Sequence, residues 1–215
     1  AYPYTELGLV YLRWRGDADE ARAILARAPH VENTEPCRVG YQAELLDRDF
    51  EGALAKLDEC SGSVLEAGTF YEPVDLVRGI VLQVSGNPEL AREAFTTALD
   101  HLEAKLQNSP DDHRIHAALG LAYAGLDRSE EAVRHGTRAV ELYPLAKDAL
   151  GAPVLMINLA LVYTMVGQNE DALSSLDAAL SIPSILSTAW LRKDPRWDGL
   201  RDMEGFEAML RKHER

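Results

Sequence analysis

The densest group of side chains able to do chemistry is SPDDHRIH, residues 109–116, where His113 and His116 stand three apart beside Asp111 and Asp112. That spacing puts two imidazoles on one helical face. Imidazoles with carboxylates form a ligand set for a transition metal. No third ligand with suitable spacing accompanies them, so the stretch reads as a helix boundary. Asn108-Ser109-Pro110 ends one helix, and Asp111 or Asp112 caps the next where the helix dipole favours acidic groups.

A second cluster, Asp194, Asp198 and Asp202 around Trp197, has Asp198 and Asp202 at helical spacing and could form a carboxylate site. Capping and solvation account for it more simply. The serines lack a GxSxG elbow, and GNP and GQN read as turns between helices rather than phosphate loops. The histidines at 30, 101, 135 and 213 are scattered and assigned to the surface. No catalytic, cofactor-binding or metal-binding residue is assigned, and the chain reads as a non-enzyme. Cys37 and Cys60 fit no finger or redox spacing. They read as two small core residues, with a disulfide as the alternative if their Cα atoms approach within about 7 Å.

The elements that carry these groups belong to a soluble globular chain of 215 residues, 47% hydrophobic and 27% charged, with a formal net charge of −13. That charge argues against non-specific hold on nucleic acid or an anionic membrane. No apolar run approaches the roughly 20 residues of a membrane span. The opening AYPYTELGLVYLRWRG lacks an initiator Met and signal-peptide character, and is expected to be the start of an excised piece of a longer protein. The compartment stays open.

Self-similarity organises the rest. LGLAYAGLDRSEEAVRHGTRAVELYP (Leu119 to Pro144) and LALVYTMVGQNEDALSSLDAALSIP (Leu159 to Pro183) obey one template. In both, a small residue and Tyr precede a polar turn, then Ala and further small residues lead to a closing Pro. Earlier copies place Ala21, Ala53 and Ala91 where these have Ala132 and Ala172. Small residues at such positions let two helices of a hairpin cross closely, and stacked hairpins bury faces that a single one cannot. Glu44 and Arg78 depart from apolar columns, and Gly136 stands where a large residue is usual, which is expected to loosen that hairpin.

These columns resemble the tetratricopeptide repeat, a helix-turn-helix of about 34 residues. The resemblance implies an all-α, right-handed superhelical solenoid of about five repeats over residues 1–185, at approximately 2–33, 34–71, 72–112, 113–152 and 153–185, with a helical cap at 186–215. Residues 71–210 are also similar to the C-terminal repeat regions of bacterial signalling proteins, among them TolB-like proteins, serine/threonine kinases, adenylate cyclases and winged-helix regulators. None of those catalytic or DNA-binding domains is in this sequence.

The resemblance further implies a concave groove lined by first helices. It comprises Leu7, Val10 and Trp14, with Glu6 and Arg13 beside them, then Leu76, Val77, Ile80 and Gln83, then Arg114, Ala117 and Leu121, then Ile157, Asn158, Leu161 and Met165. The expected groove is apolar with few charges and suits a protein or peptide segment. Self-occlusion or a second copy of the chain are its alternative occupants. After the last hairpin, Trp190, Leu191, Trp197 and Leu200 are expected to cover the open end, followed by a helix with Met203, Phe206, Met209 and Leu210 on one side.

Overall fold

The computed structural model describes residues 2–28, 35–182 and 186–214. Pro183, the expected close of the fifth copy, and His30 lie outside them. The helices pack as consecutive pairs. α1 (Tyr2–Val10) runs into a π-helical turn at Tyr11–Arg15 and packs on α2 (Ala18–Leu25). α3 (Glu35–Leu46) pairs with α4 (Phe50–Asp58), and α5 (Val74–Val84) with the long α6 (Pro88–Asn108). α7 (His113–Gly125) pairs with α8 (Ser129–Leu142), and α9 (Ala152–Met165) with α10 (Asn169–Leu180).

Each pair turns on one residue with positive φ: Gly16, Arg48, Gly86, Asp127 and Gly167. Each lies the same distance before its alanine, and Ala21, Ala53, Ala91, Ala132 and Ala172 are all buried. The second pair therefore shares the register of the others. Its departure from the template, Glu44, takes two hydrogen bonds from Arg22 of the first pair, at 3.1 and 2.8 Å. Arg78 likewise reaches Asp58 of the preceding pair at 2.7 Å. Residues that break the apolar columns thus tie neighbouring pairs together.

Gly136 does not loosen its hairpin. A Cβ on Gly120 would stand 3.0 Å from the Gly136 nitrogen and 3.1 Å from the Ala132 carbonyl oxygen, so facing glycines bring the α7 and α8 backbones together. Cys37 and Cys60 are joined in a disulfide with Cα atoms 5.5 Å apart, which replaces the reading of two free core thiols. In a helical hairpin the start of the first helix faces the end of the second, and that places the two cysteines side by side.

The fold is mostly helical, as expected, but not wholly so. Between α4 and α5, β1 (Val64–Ala67) and β2 (Phe70–Pro73) form an antiparallel hairpin, with Val64 opposite Pro73 and Ala67 opposite Phe70. Gly68-Thr69 supplies the tight turn, and Leu65, Phe70 and Tyr71 are buried. β2 then packs on α5, α6 and α7.

Candidate interaction surface

Beyond α10 the chain does more than close the end of the stack. α11 (Thr188–Lys193) packs on the π-helical turn of the first pair. A 3-10 helix, Pro195–Leu200, then lies on α5, α9 and α10, and α12 (Glu204–Lys212) returns to α10. The segment thus crosses from the last pair to the first and back over first helices. Trp190, Leu191, Trp197, Leu200, Phe206, Met209 and Leu210 are all buried, while Met203 is half-buried and precedes α12. These side chains are buried, and the segment that carries them reaches the first pair as well as the last.

Local chemistry explains the path. Ser187 caps α11 by accepting from the Trp190 amide, and Asp194 caps the 3-10 helix by accepting from the Arg196 amide. Pro195 occupies the first helical position, where its missing N–H costs nothing. Asp198, once a candidate acid, is held by a bidentate Arg48 pair at 2.7 and 2.7 Å and by Arg201 at 2.5 Å.

The expected groove residues divide in three. Leu76, Val77, Ile80, Ala117, Leu121, Ile157 and Leu161 are buried. Arg114, Asn158 and Met165 are half-buried, and Gln83 is exposed. Leu7, Val10 and Trp14 are exposed at 47%, 46% and 73%, and make an apolar stripe on the first helix. Arg114 is occupied by Asp112 and the Ala67 carbonyl. One crevice gathers Leu76, Val77, Ile80, Leu121, Asn158 and Leu161 with Tyr41, Leu45, Glu72, Val81 and Arg196, around a cavity of about 20 Å³.

Two charged side chains, Glu72 and Arg196, stand among the mostly apolar residues that line this crevice, and further arginines lie on neighbouring elements. Arg196 forks onto the buried Asp194, with bonds of 2.5–3.0 Å. Burial opposes its charge, but Asp194 outweighs burial and raises its pKa. Arg38 is buried with its guanidinium 3.7 Å from the Phe70 ring centroid. Arg13 reaches Gln42 Oε1 only at 3.5 Å. Its pKa falls to about 9, first through burial and then through the charge of Arg38. The Tyr41 phenol is raised, by burial first and Glu72 next. Of these groups only Arg13 stood in an expected groove column. Arg38, Tyr41 and Gln42 lie in α3, beside the template departure Glu44, and Arg196 lies in the segment read as a helical cap.

The histidine motif resolves as structure. Asp112 caps α7 by accepting from the Arg114 amide at 2.9 Å, and the His113 ring stacks on Tyr143. His116 is buried and pairs with His135, half-buried rather than on the surface, with Nδ1 atoms 2.9 Å apart. His101 is exposed, as expected, with its Nε2 2.7 Å from the Tyr71 hydroxyl. Among the described residues no three His, Cys, Asp or Glu side chains are grouped to hold a metal ion.

A family model described as tetratricopeptide repeat matches residues 113–135, which span α7 and the first half of α8. No curated protein and no solved structure matches the chain significantly. The match supports a tetratricopeptide-repeat protein, a class that in general mediates contacts between proteins and is not enzymatic. No helix among the described residues is long and apolar enough to cross a membrane.

Proposed function

We propose that the chain is a non-catalytic interaction module: a five-repeat solenoid that holds a protein or peptide segment on its first-helix face. It would serve as the regulatory or scaffolding part of a larger bacterial protein, a reading supported by the resemblance of residues 71–210 to such regions. The observation that carries the proposal is the exposed stripe of Leu7, Val10 and Trp14. These apolar groove positions are open while most of the others are buried, and an apolar helical stripe is a docking face for a partner's apolar anchors.

The same stripe favours a second reading, self-association through α1. A Val10→Glu, Trp14→Glu double variant separates the readings, because both side chains are exposed and the fold should tolerate the change. Loss of captured partners with an unchanged monomer supports docking. A concentration-independent dimer that the variant breaks supports self-association. Partners retained equally by wild type and variant would overturn the stripe as a site. Charges at Ile80 or Leu121 would not serve, since both are buried and their replacement would unfold the chain.

A further inference from the structure

Residues 187–203 satisfy their own backbone and their own buried charge. Among the described residues their backbone–backbone bonds close within the stretch, as from Asp194 N–H to the Trp190 carbonyl and from Met203 N–H to the Leu200 carbonyl. Ser187 and Asp194 cap its two helices from inside. Arg196 has its counterion two residues away in Asp194, and Arg201 donates to the carbonyls of Arg192 and Asp194. The polar ties to the helix pairs run through side chains: Ser187 to the Arg13 carbonyl, Lys193 to the Gly16 carbonyl, and Asp198 to Arg48. A segment built this way lifts off as a unit without breaking a backbone ladder or stranding a buried charge.

Burial of Trp190, Leu191, Trp197 and Leu200 holds the segment down. Two donors work against it. Among the described residues the Trp197 indole N–H and the Arg13 Nε are buried without a hydrogen-bond partner. Arg13 stands where the segment meets the first pair, its guanidinium 5.9 Å from the Trp190 ring centroid. Both donors regain water when the segment lifts, so closure carries their desolvation cost. Downstream, α12 stays tethered to α10 through Lys212 and His213 on Asp177.

Beneath the 3-10 helix the first helices of four pairs converge. Tyr41 of α3, Ile80 of α5, Leu121 of α7, and Asn158 and Leu161 of α9 line the crevice together with Glu72 and Arg196. We propose that residues 187–203 are an autoinhibitory strap over this face, displaced by a partner segment of the same chemistry, a bulky apolar side chain beside a guanidinium. Glu72 is the carboxylate that such a guanidinium would meet. Strap control rests on the first-helix face being a docking surface, and adds what governs access to it. The strap is tied at Arg13 and Gly16, on either side of Trp14, so its release extends the exposed stripe instead of opening a separate site. A partner competes with a tethered ligand, and its apparent affinity weakens in proportion to the fraction of chains that are open.

A fluorescent peptide of residues 187–203, added to the whole chain, is the probe. A Ser187→Ala, Lys193→Ala double variant loosens two ties and leaves the crevice lining intact. It should bind the peptide at least about tenfold more tightly than wild type, since each lost bond raises the open fraction. The same peptide carrying Trp197→Ala should bind neither protein. In the wild type, amides of residues 188–200 should exchange in dilute urea through an opening that leaves α5 and α9 protected, a readout that needs neither variant nor partner. Equal affinity of the peptide for the two proteins, equal binding of the Trp197→Ala peptide, or exchange of 188–200 only together with α5 and α9 would each overturn the strap. Partners retained by the Val10→Glu, Trp14→Glu variant would remove the docking stripe yet leave these readouts unchanged.

Discussion

The hydroxyl of Ser187 donates to the carbonyl of Arg13 at 2.6 Å, joining residues 174 positions apart. Lys193 Nζ adds a second bond, at 2.6 Å, to the carbonyl of Gly16 in the turn of the first pair. The π-helical turn therefore has its outer carbonyls satisfied by the far end of the chain. Replacing both Ser187 and Lys193 by Ala should speed amide exchange in α2 as well as α11, at about 1 kcal/mol per lost bond. Faster exchange in α11 alone would show that the contact is passive.

Trp197 is fully buried and Trp14 is 73% exposed. Trp197→Ala should cost about 3–5 kcal/mol in urea unfolding, and Trp14→Ala within about 0.5 kcal/mol. Iodide should quench Trp14 fluorescence and spare Trp190 and Trp197. Comparable losses for the two variants would sink the buried-cover reading.

Facing glycines set the separation of α7 and α8. Gly120→Ala meets the α8 backbone at both Ala132 and Gly136, so helix propensity will not rescue it, and a loss of about 1–3 kcal/mol is expected by thermal or urea denaturation. Asp127→Gly should do the opposite. It removes a left-handed non-glycine, φ 61°, at the cost of an exposed ion pair to Arg92, for a gain of up to about 1 kcal/mol. Arg48 shares that conformation, yet Arg48→Gly also gives up the fork onto Asp198, so its gain should be smaller or absent.

The disulfide closes a loop with a sequence separation of 23 residues. Reduction, or replacement of Cys37 and Cys60 by Ser, should lower stability by about 3 kcal/mol on the chain-entropy account. Thiol titration of the unfolded, unreduced protein should find no free thiol, and two free thiols would remove the bond.

His116 Nε2 lies 2.9 Å from the Pro110 carbonyl, which can only accept, so His116 donates there and offers a bare Nδ1 to the Nδ1–H of His135. Burial first, then the charges of His116 and Arg134, hold His135 down to about 4 from 6.5, with Glu103 and Glu131 opposing. The unfolded chain therefore binds this proton first. Its contribution is complete above the unfolded value and is lost as pH falls from about 6.5 toward about 4. Between about pH 7.5 and about pH 5 the urea midpoint should fall less in His135→Asn than in wild type. Parallel falls would assign the effect elsewhere.

The paired helices and their turns were legible because each pair repeats one steric requirement, a small residue where two backbones cross. The β-hairpin escaped because its residues lie within an over-wide interval that the repeat template had absorbed, although Gly68-Thr69 between extended residues carried the signal. The crevice beneath the 3-10 helix was not legible. Arg196 is far from Tyr41 and Asn158 in sequence, and only the return of the C-terminal segment brings it to them. Glu44 and Arg78 looked like flaws in the columns, because a single-repeat template does not contain the neighbour that bonds to them.

The return of the chain from the last pair to the first also has a consequence for the order of events in synthesis. A row of helix pairs that touch only their neighbours can fold piecemeal as each pair leaves the ribosome. Here the contacts between Ser187 and Arg13 and between Arg48 and Asp198 span 174 and 150 residues. The first pair therefore gains these contacts only after the five pairs have been made, and until then Leu76, Ile80 and Leu161 lack the cover of the 3-10 helix. Non-local closure of this kind slows the final step and makes it all-or-none. Closure of the first pair is thus timed by residues 186–214, and a chain ended just short of Trp190 would hold all five helix pairs without the contacts that join the first to the last.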